Sequence, residues 1–174
     1  MTENVLLMNE IKNKISLLER LNSIIINFEK IVLMFLILEM VVLAALQILS
    51  RFVIKKPISW SEELLTYSFI WISFLGAAFA LSKNKHFEVD LFTSKLSPNI
   101  RRIILIFIKI LMIIFTILMI KDGYRFASIN RFQTMSVMPF TMFWPCIVVP
   151  VSGFFMFIHL LTDLHLNIKQ GGGK

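Results

Sequence analysis

The sequence predicts an all-α membrane protein in which four transmembrane helices follow an amphipathic, interfacial N-terminal helix. Three observations carry that prediction. Four apolar runs, at 31–50, 64–81, 103–120 and 142–161, approach the length a helix needs to cross a hydrocarbon core of about 30 Å. Within those runs Glu39 and Lys109 are the formal charges. The chain is 57% hydrophobic with 17 Phe and 10 Met, but only 17% charged, far from a soluble domain's balance. Long unalternating runs of Leu, Ile and Phe specify helices, because barrel strands alternate and a backbone in lipid must satisfy its own hydrogen bonds.

Ahead of the first span, Leu7, Ile11, Ile15, Leu18, Leu21, Ile25 and Phe28 recur every three or four residues. Glu10, Lys12, Asn13, Glu19, Arg20, Asn27 and Glu29 fill the other faces. This period predicts an amphipathic helix over 4–29. A helix lying on the cytoplasmic leaflet is the natural reading, with a helix packed on a partner's cytoplasmic surface as its rival. No short apolar stretch with a small-residue cleavage site is present, so the first span is expected to serve as an uncleaved anchor.

The net charge of +7 follows membrane orientation rather than nucleic-acid binding. Four Lys or Arg precede the first span, five lie in the second loop and two in the tail, against three in each remaining loop. The positive-inside rule then expects both termini in the cytoplasm. Cys146 is the single cysteine, which excludes an internal disulfide or a thiolate cluster. Residues 1–170 read as one membrane domain with no room for a separate catalytic unit. Residues 171–174, Gly-Gly-Gly-Lys, read as a linker or appended remnant.

The loops carry helix-boundary signals. Pro57 ends the first loop, and Ser59 with Glu62 has the spacing of a capping box for the second helix. Trp60 falls at the depth where indoles favour the headgroup region. Pro98 breaks the second loop ahead of Arg101 and Arg102, expected to anchor the third span. Pro139 and Pro145 close the third loop, and Pro150 is expected to kink the fourth span.

Charges in lipid are the first candidates for chemistry. Glu39 and Lys109 sit about 12 Å and about 9 Å past the cytoplasmic starts of parallel spans at helical rise, so they share a slab of membrane and can pair. A relay would need more polar groups than these two and Gln47, which favours a structural pair, with snorkelling of Lys109 as its rival. Arg51 and Glu63 bracket the first loop at similar height and form a second candidate pair. Glu62 reads as the cap and Glu63 as the packing residue, although the two roles can be exchanged.

His86, Glu88 and Asp90 share one side only of an extended strand, and their order fits no zinc-protease motif. A loop organising the cytoplasmic face is the expected role of His86 and Asp90. His159 and His165 share no helical face, so haem ligation is rejected. No cofactor is expected. In the second span Ser73, Gly76, Ala77 and Ala80 form two small-residue rows that favour close helix contact. Tyr67, Phe69, Ile70, Trp71 and Phe74 are the bulky residues beside them.

The run from Arg51 through Pro57-Ile58-Ser59-Trp60-Ser61-Glu62-Glu63-Leu64, then Trp71-Ile72-Ser73-Phe74-Leu75-Gly76-Ala77-Ala78, then His86-x-x-Val89-Asp90-Leu91, resembles one known family. It is the small integral membrane subunit of tripartite ATP-independent periplasmic (TRAP) transporters, the DctQ-like family. Ser136-Val137-Met138-Pro139, Trp144-Pro145 and Val149-Pro150-Val151-Ser152-Gly153-Phe154 resemble that family's entry into its fourth span. The resemblance implies a non-catalytic scaffold for a large membrane subunit that carries the substrate and sodium sites and moves as an elevator. It also implies a periplasmic binding protein that delivers an organic acid such as sialic acid or a C4-dicarboxylate. Implied partners are thus the large subunit, the binding protein and membrane lipid. The two membrane subunits are expected to be separate chains because this one ends after the fourth span, or fused if the glycine tail marks a truncation. The interface candidates are Arg51, Trp60, Glu62, Glu63, Trp71, Gly76, His86 and Asp90. The alternatives are a small cation exporter that uses Glu39 and is opposed by a neutralising Lys109, or an accessory subunit of another membrane complex.

Overall fold

The structure is a computed structural model that describes residues 2–56, 58–83 and 97–171. The calls on Pro57, His86, Glu88 and Asp90 lie outside the described residues. Helix α1 runs Thr2–Leu49 and passes into a π-helical turn at Ser50–Ile54. Then follow α2, Ser59–Lys83, and α3, Pro98–Asn130. A one-turn α4, Phe143–Cys146, leads into α5, Val148–Gly171. Four stretches are long and apolar enough to cross a membrane: Leu17–Ile54, Ser59–Lys83, Ile103–Asn130 and Phe143–Leu164. Among the described residues there is no strand, only an isolated antiparallel bridge between Thr134 and Thr141.

Helix α5 is the hub. It packs on α3, α2 and α1, while α1 also packs on α2. The apolar window of α5 is 44% buried against 6% for that of α3, so α3 hangs on one side with most of its circumference open. At mid-height Leu33, Leu75 and Val148 form a shared core, with Trp71, Phe74 and Phe155 packed against it.

The pattern of burial is inverted relative to a soluble bundle. Asn22, Glu29, Ser68, Thr116, Ser152, His159 and Thr162 are buried, whereas Ile31, Phe35, Phe107 and Ile129 stand exposed. Lipid tails are as apolar as Leu, so apolar side chains gain nothing by moving inward. Small and polar residues therefore share the helix contacts with the apolar core.

Helix α1 continues unbroken through the expected junction near residue 30. Along 17–30 the expected faces are only partly kept: Leu18 and Ile25 are half-buried, and Arg20 and Asn27 are exposed. Leu21 and Phe28 point outward, while Asn22 and Glu29 are buried.

The fourth span carries a one-residue break at Ile147, in the turn before Pro150. Pro150 has no N–H to donate to the Cys146 carbonyl four residues back, and the short α4 ends at Cys146. Ile147 carries the chain into α5, where the Val151 N–H donates to its carbonyl at 3.2 Å.

The start of α2 also differs from the expected capping box. The helix begins at Ser59 itself, and the Ser61 hydroxyl donates to the Ile58 carbonyl at 2.8 Å. Glu62 remains in the first turn, where a carboxylate complements the positive end of the helix dipole.

Candidate functional site

Polar groups within the spans join helices at three heights. At the end of the bundle away from both chain termini, Glu63 reaches across to the 131–142 loop. Its Oε1 accepts the Ser136 N–H at 2.6 Å, and its Oε2 accepts those of Val137 and Met138 at 2.9 and 2.8 Å. The Tyr67 hydroxyl lies 3.2 Å from Oε1 and also 3.2 Å from Met142 Sδ. Successive N–H groups turned to one point make an anion cradle, and here the anion is an internal carboxylate. Arg51 is exposed in the π-helical turn, which closes on Lys55 in the left-handed region at φ 57°. The expected Arg51–Glu63 pair is thus replaced by the Glu63 clamp on backbone N–H groups, which present three donors in fixed positions.

In the last third of α1, Glu39 Oε1 accepts the Ser68 hydroxyl of α2 at 3.1 Å, and Oε2 is buried with no hydrogen-bond donor. Lys109 does not reach it. The Lys109 Nζ sits 2.7 Å from Asp163 Oδ2 on α5. The expected Glu39–Lys109 pair gives way because α3 docks on α5 rather than on α1, which brings Asp163 closer. Placing the end of the fourth span at residue 161 had left Asp163 outside the membrane.

Toward the end that carries the termini, His159 on α5 faces α1. Its Nδ1 lies 2.6 Å from Asn22 Oδ1 and its Nε2 lies 3.1 Å from Glu29 Oε2. Glu29 is fully buried, and its Oε1 has no hydrogen-bond donor. Phe28 meets Phe155 edge-on beside the cluster, at 6.2 Å between centroids. Reading Glu29 as part of a water-facing side had concealed this site. The sequence did hold a signal, since Asn22 and Glu29 are seven residues apart and share a helical face.

The tightest helix approach lies between α3 and α5. A Cβ on Gly123 would fall 2.9 Å from Val149 Cγ1, and one on Gly153 would fall 2.9 Å from Met119 Cβ. A Cβ on Gly76 would meet nothing within 4 Å, and Ser73, Ala77 and Ala80 are exposed. The small-residue ridge of α2 therefore faces outward, and its bulky Trp71 and Phe74 face the core. Trp60 is half exposed near the clamp.

Four apolar spans, with their polar groups spent on holding helices together, define a multi-pass membrane protein. The chain belongs to the DctQ component family of the tripartite ATP-independent periplasmic transporters, which it matches over residues 40–170. It is 28% identical to the sialic acid TRAP transporter small permease protein SiaQ of Vibrio cholerae, over 87% of this chain and 88% of that protein. It is 29% identical to the sialic acid TRAP transporter permease protein SiaT of Haemophilus influenzae, over 72% of this chain but only 20% of that longer protein. It is 27% identical to the isethionate TRAP transporter permease protein DctMQ of Oleidesulfovibrio alaskensis, over 84% of this chain and 24% of that protein. The chain is a transporter component and not an enzyme.

Proposed function

We propose that this chain is the scaffold of a sodium-coupled uptake system for an organic acid, holding a larger membrane subunit that does the transport. The observation that carries the reading is the family match across 40–170, which takes in α2 to α5 and the last part of α1. The long relatives support a large membrane partner, because similarity to this chain occupies only a fifth to a quarter of their length. The internal geometry agrees with a scaffold. Lys109 is matched by Asp163, Glu29 by His159 and Glu39 by Ser68, each between two helices of this chain. Sialic acid is the substrate we favour within the organic acids, since two of the relatives are named for it. A periplasmic binding protein would deliver it, and both termini would face the cytoplasm.

The alternative of a self-contained cation exporter rests on Glu39. Because Lys109 is bound to Asp163, it does not neutralise that carboxyl. The family match weighs against the exporter nonetheless. Sodium-driven uptake of sialic acid into proteoliposomes separates the readings, with this chain, the larger subunit and the binding protein added singly and together. Uptake only with all three is expected. Cation exchange by this chain alone, abolished by Glu39→Gln, would establish the exporter instead.

A further inference from the structure

The segment 131–142, between α3 and α4, is more apolar than a loop in water needs to be. Phe132 is 78% exposed, Val137 52% and Phe140 50%, and Trp144 at the start of α4 is 59% exposed. Arg131 is its one formal charge, and the guanidinium stacks over the Phe132 ring at 4.5 Å.

The same segment satisfies much of its backbone within the protein. The N–H groups of Gln133, Met135 and Met142 donate to the carbonyls of Asn130, Phe140 and Gln133. Those of Ser136, Val137 and Met138 are taken by Glu63, and Pro139 has none. Internal pairing of this kind is required of backbone that sits where water is scarce.

We propose that 131–142 lies in the headgroup–acyl boundary of the bilayer, with Phe132, Val137, Phe140 and Trp144 inserted among lipids and Glu63 holding its backbone from the bundle side. Continuity names lipid as the occupant. Phe126, Ile129 and Phe132 are three residues apart and all exposed, so one lipid-facing stripe of α3 runs directly into the loop. The loop has no acidic group and a single basic one, so it offers little charge complementarity to a protein partner. Aromatic rings favour this depth.

The proposal rests on the membrane assignment alone and not on the transport reading. Its test therefore uses the isolated chain and measures no uptake. Val137→Cys in a Cys146→Ser background would be labelled with an environment-sensitive nitrobenzoxadiazole dye. The chain would then be placed in nanodiscs of phosphatidylethanolamine and phosphatidylglycerol. Blue-shifted emission, quenched several-fold more by lipids spin-labelled near the headgroup than by aqueous iodide, is the expected result. Equal or stronger iodide quenching would overturn the proposal by placing the loop in water. Protection from both quenchers would also overturn it, since protein would then cover the loop. Trp144 fluorescence with Trp60→Phe and Trp71→Phe, quenched by brominated lipid, gives a second reading without the engineered cysteine. Lipid quenching of Trp144 is expected, and its absence would likewise overturn the proposal.

Discussion

Glu63 and His159 show how a single side chain positions a segment of this protein. Glu63 gathers three consecutive amides of the 136–138 turn, and charge-assisted bonds of this kind are about twice as strong as neutral ones. Glu63→Ala should therefore accelerate hydrogen exchange at 136–138 and lower the melting temperature in detergent. Arg51→Ala should change neither, because Arg51 is exposed and absent from the clamp. At the other end His159→Ala leaves Glu29 and Asn22 buried without their hydrogen-bond partner, a loss of about 1–3 kcal/mol. Unfolding in mixed micelles checks that value. A double-mutant cycle with Glu29→Gln should recover part of the loss if the two side chains act as a pair.

The helix contacts depend on where side chains are missing. Gly123 and Gly153 let α3 and α5 approach until a Cβ on either would collide with the other helix. Gly123→Leu and Gly153→Leu should each cost about 1–3 kcal/mol through overpacking, measured by the same unfolding assay. Gly76→Leu should leave the isolated chain within about 0.5 kcal/mol of wild type, because a Cβ there meets nothing within 4 Å. Its space is open, so an effect at that position belongs to a partner. Fewer copies of the larger subunit co-purifying with Gly76→Leu, at unchanged chain stability, is the outcome expected of a scaffold. Wild-type recovery would assign the ridge to lipid. The break before α5 has an equally local cause in Pro150, and replacing that proline with alanine should join α4 to α5, visible as slower amide exchange near Ile147.

At the scale of the whole molecule, α5 joins α3 and α2, and α1 packs chiefly on α2 and only lightly on α5. Its large exposed apolar surface is ordinary for a membrane chain, because lipid completes the packing. The charge distribution expects both termini on one side. A green fluorescent protein fused after residue 174 should fluoresce in cells, and an alkaline phosphatase fused there should be inactive. The opposite pattern would invert the bundle and place the Glu63 loop at the cytoplasmic face.

Hydropathy and charge placement were sufficient for the class and the number of spans, because hydrocarbon imposes its length and polarity rules on each segment separately. The family rested on the resemblance of the motifs around Trp60, Trp71 and Pro150. Glu63 was legible as a packing residue from its position at a helix start. Its partner was not, since the 136–138 amides lie more than seventy residues away and any backbone can supply an N–H. Glu39, Lys109 and Asp163 were all visible as charges, but which pair forms depends on α3 docking against α5 instead of α1. The face of α1 that turns inward was likewise undecided, because in lipid the apolar side of a helix can face outward without penalty. The sequence by itself determined what must enter the membrane. Tertiary structure decided which polar groups meet there, because buried pairs are set by helix neighbours and rotation, which local periodicity does not encode.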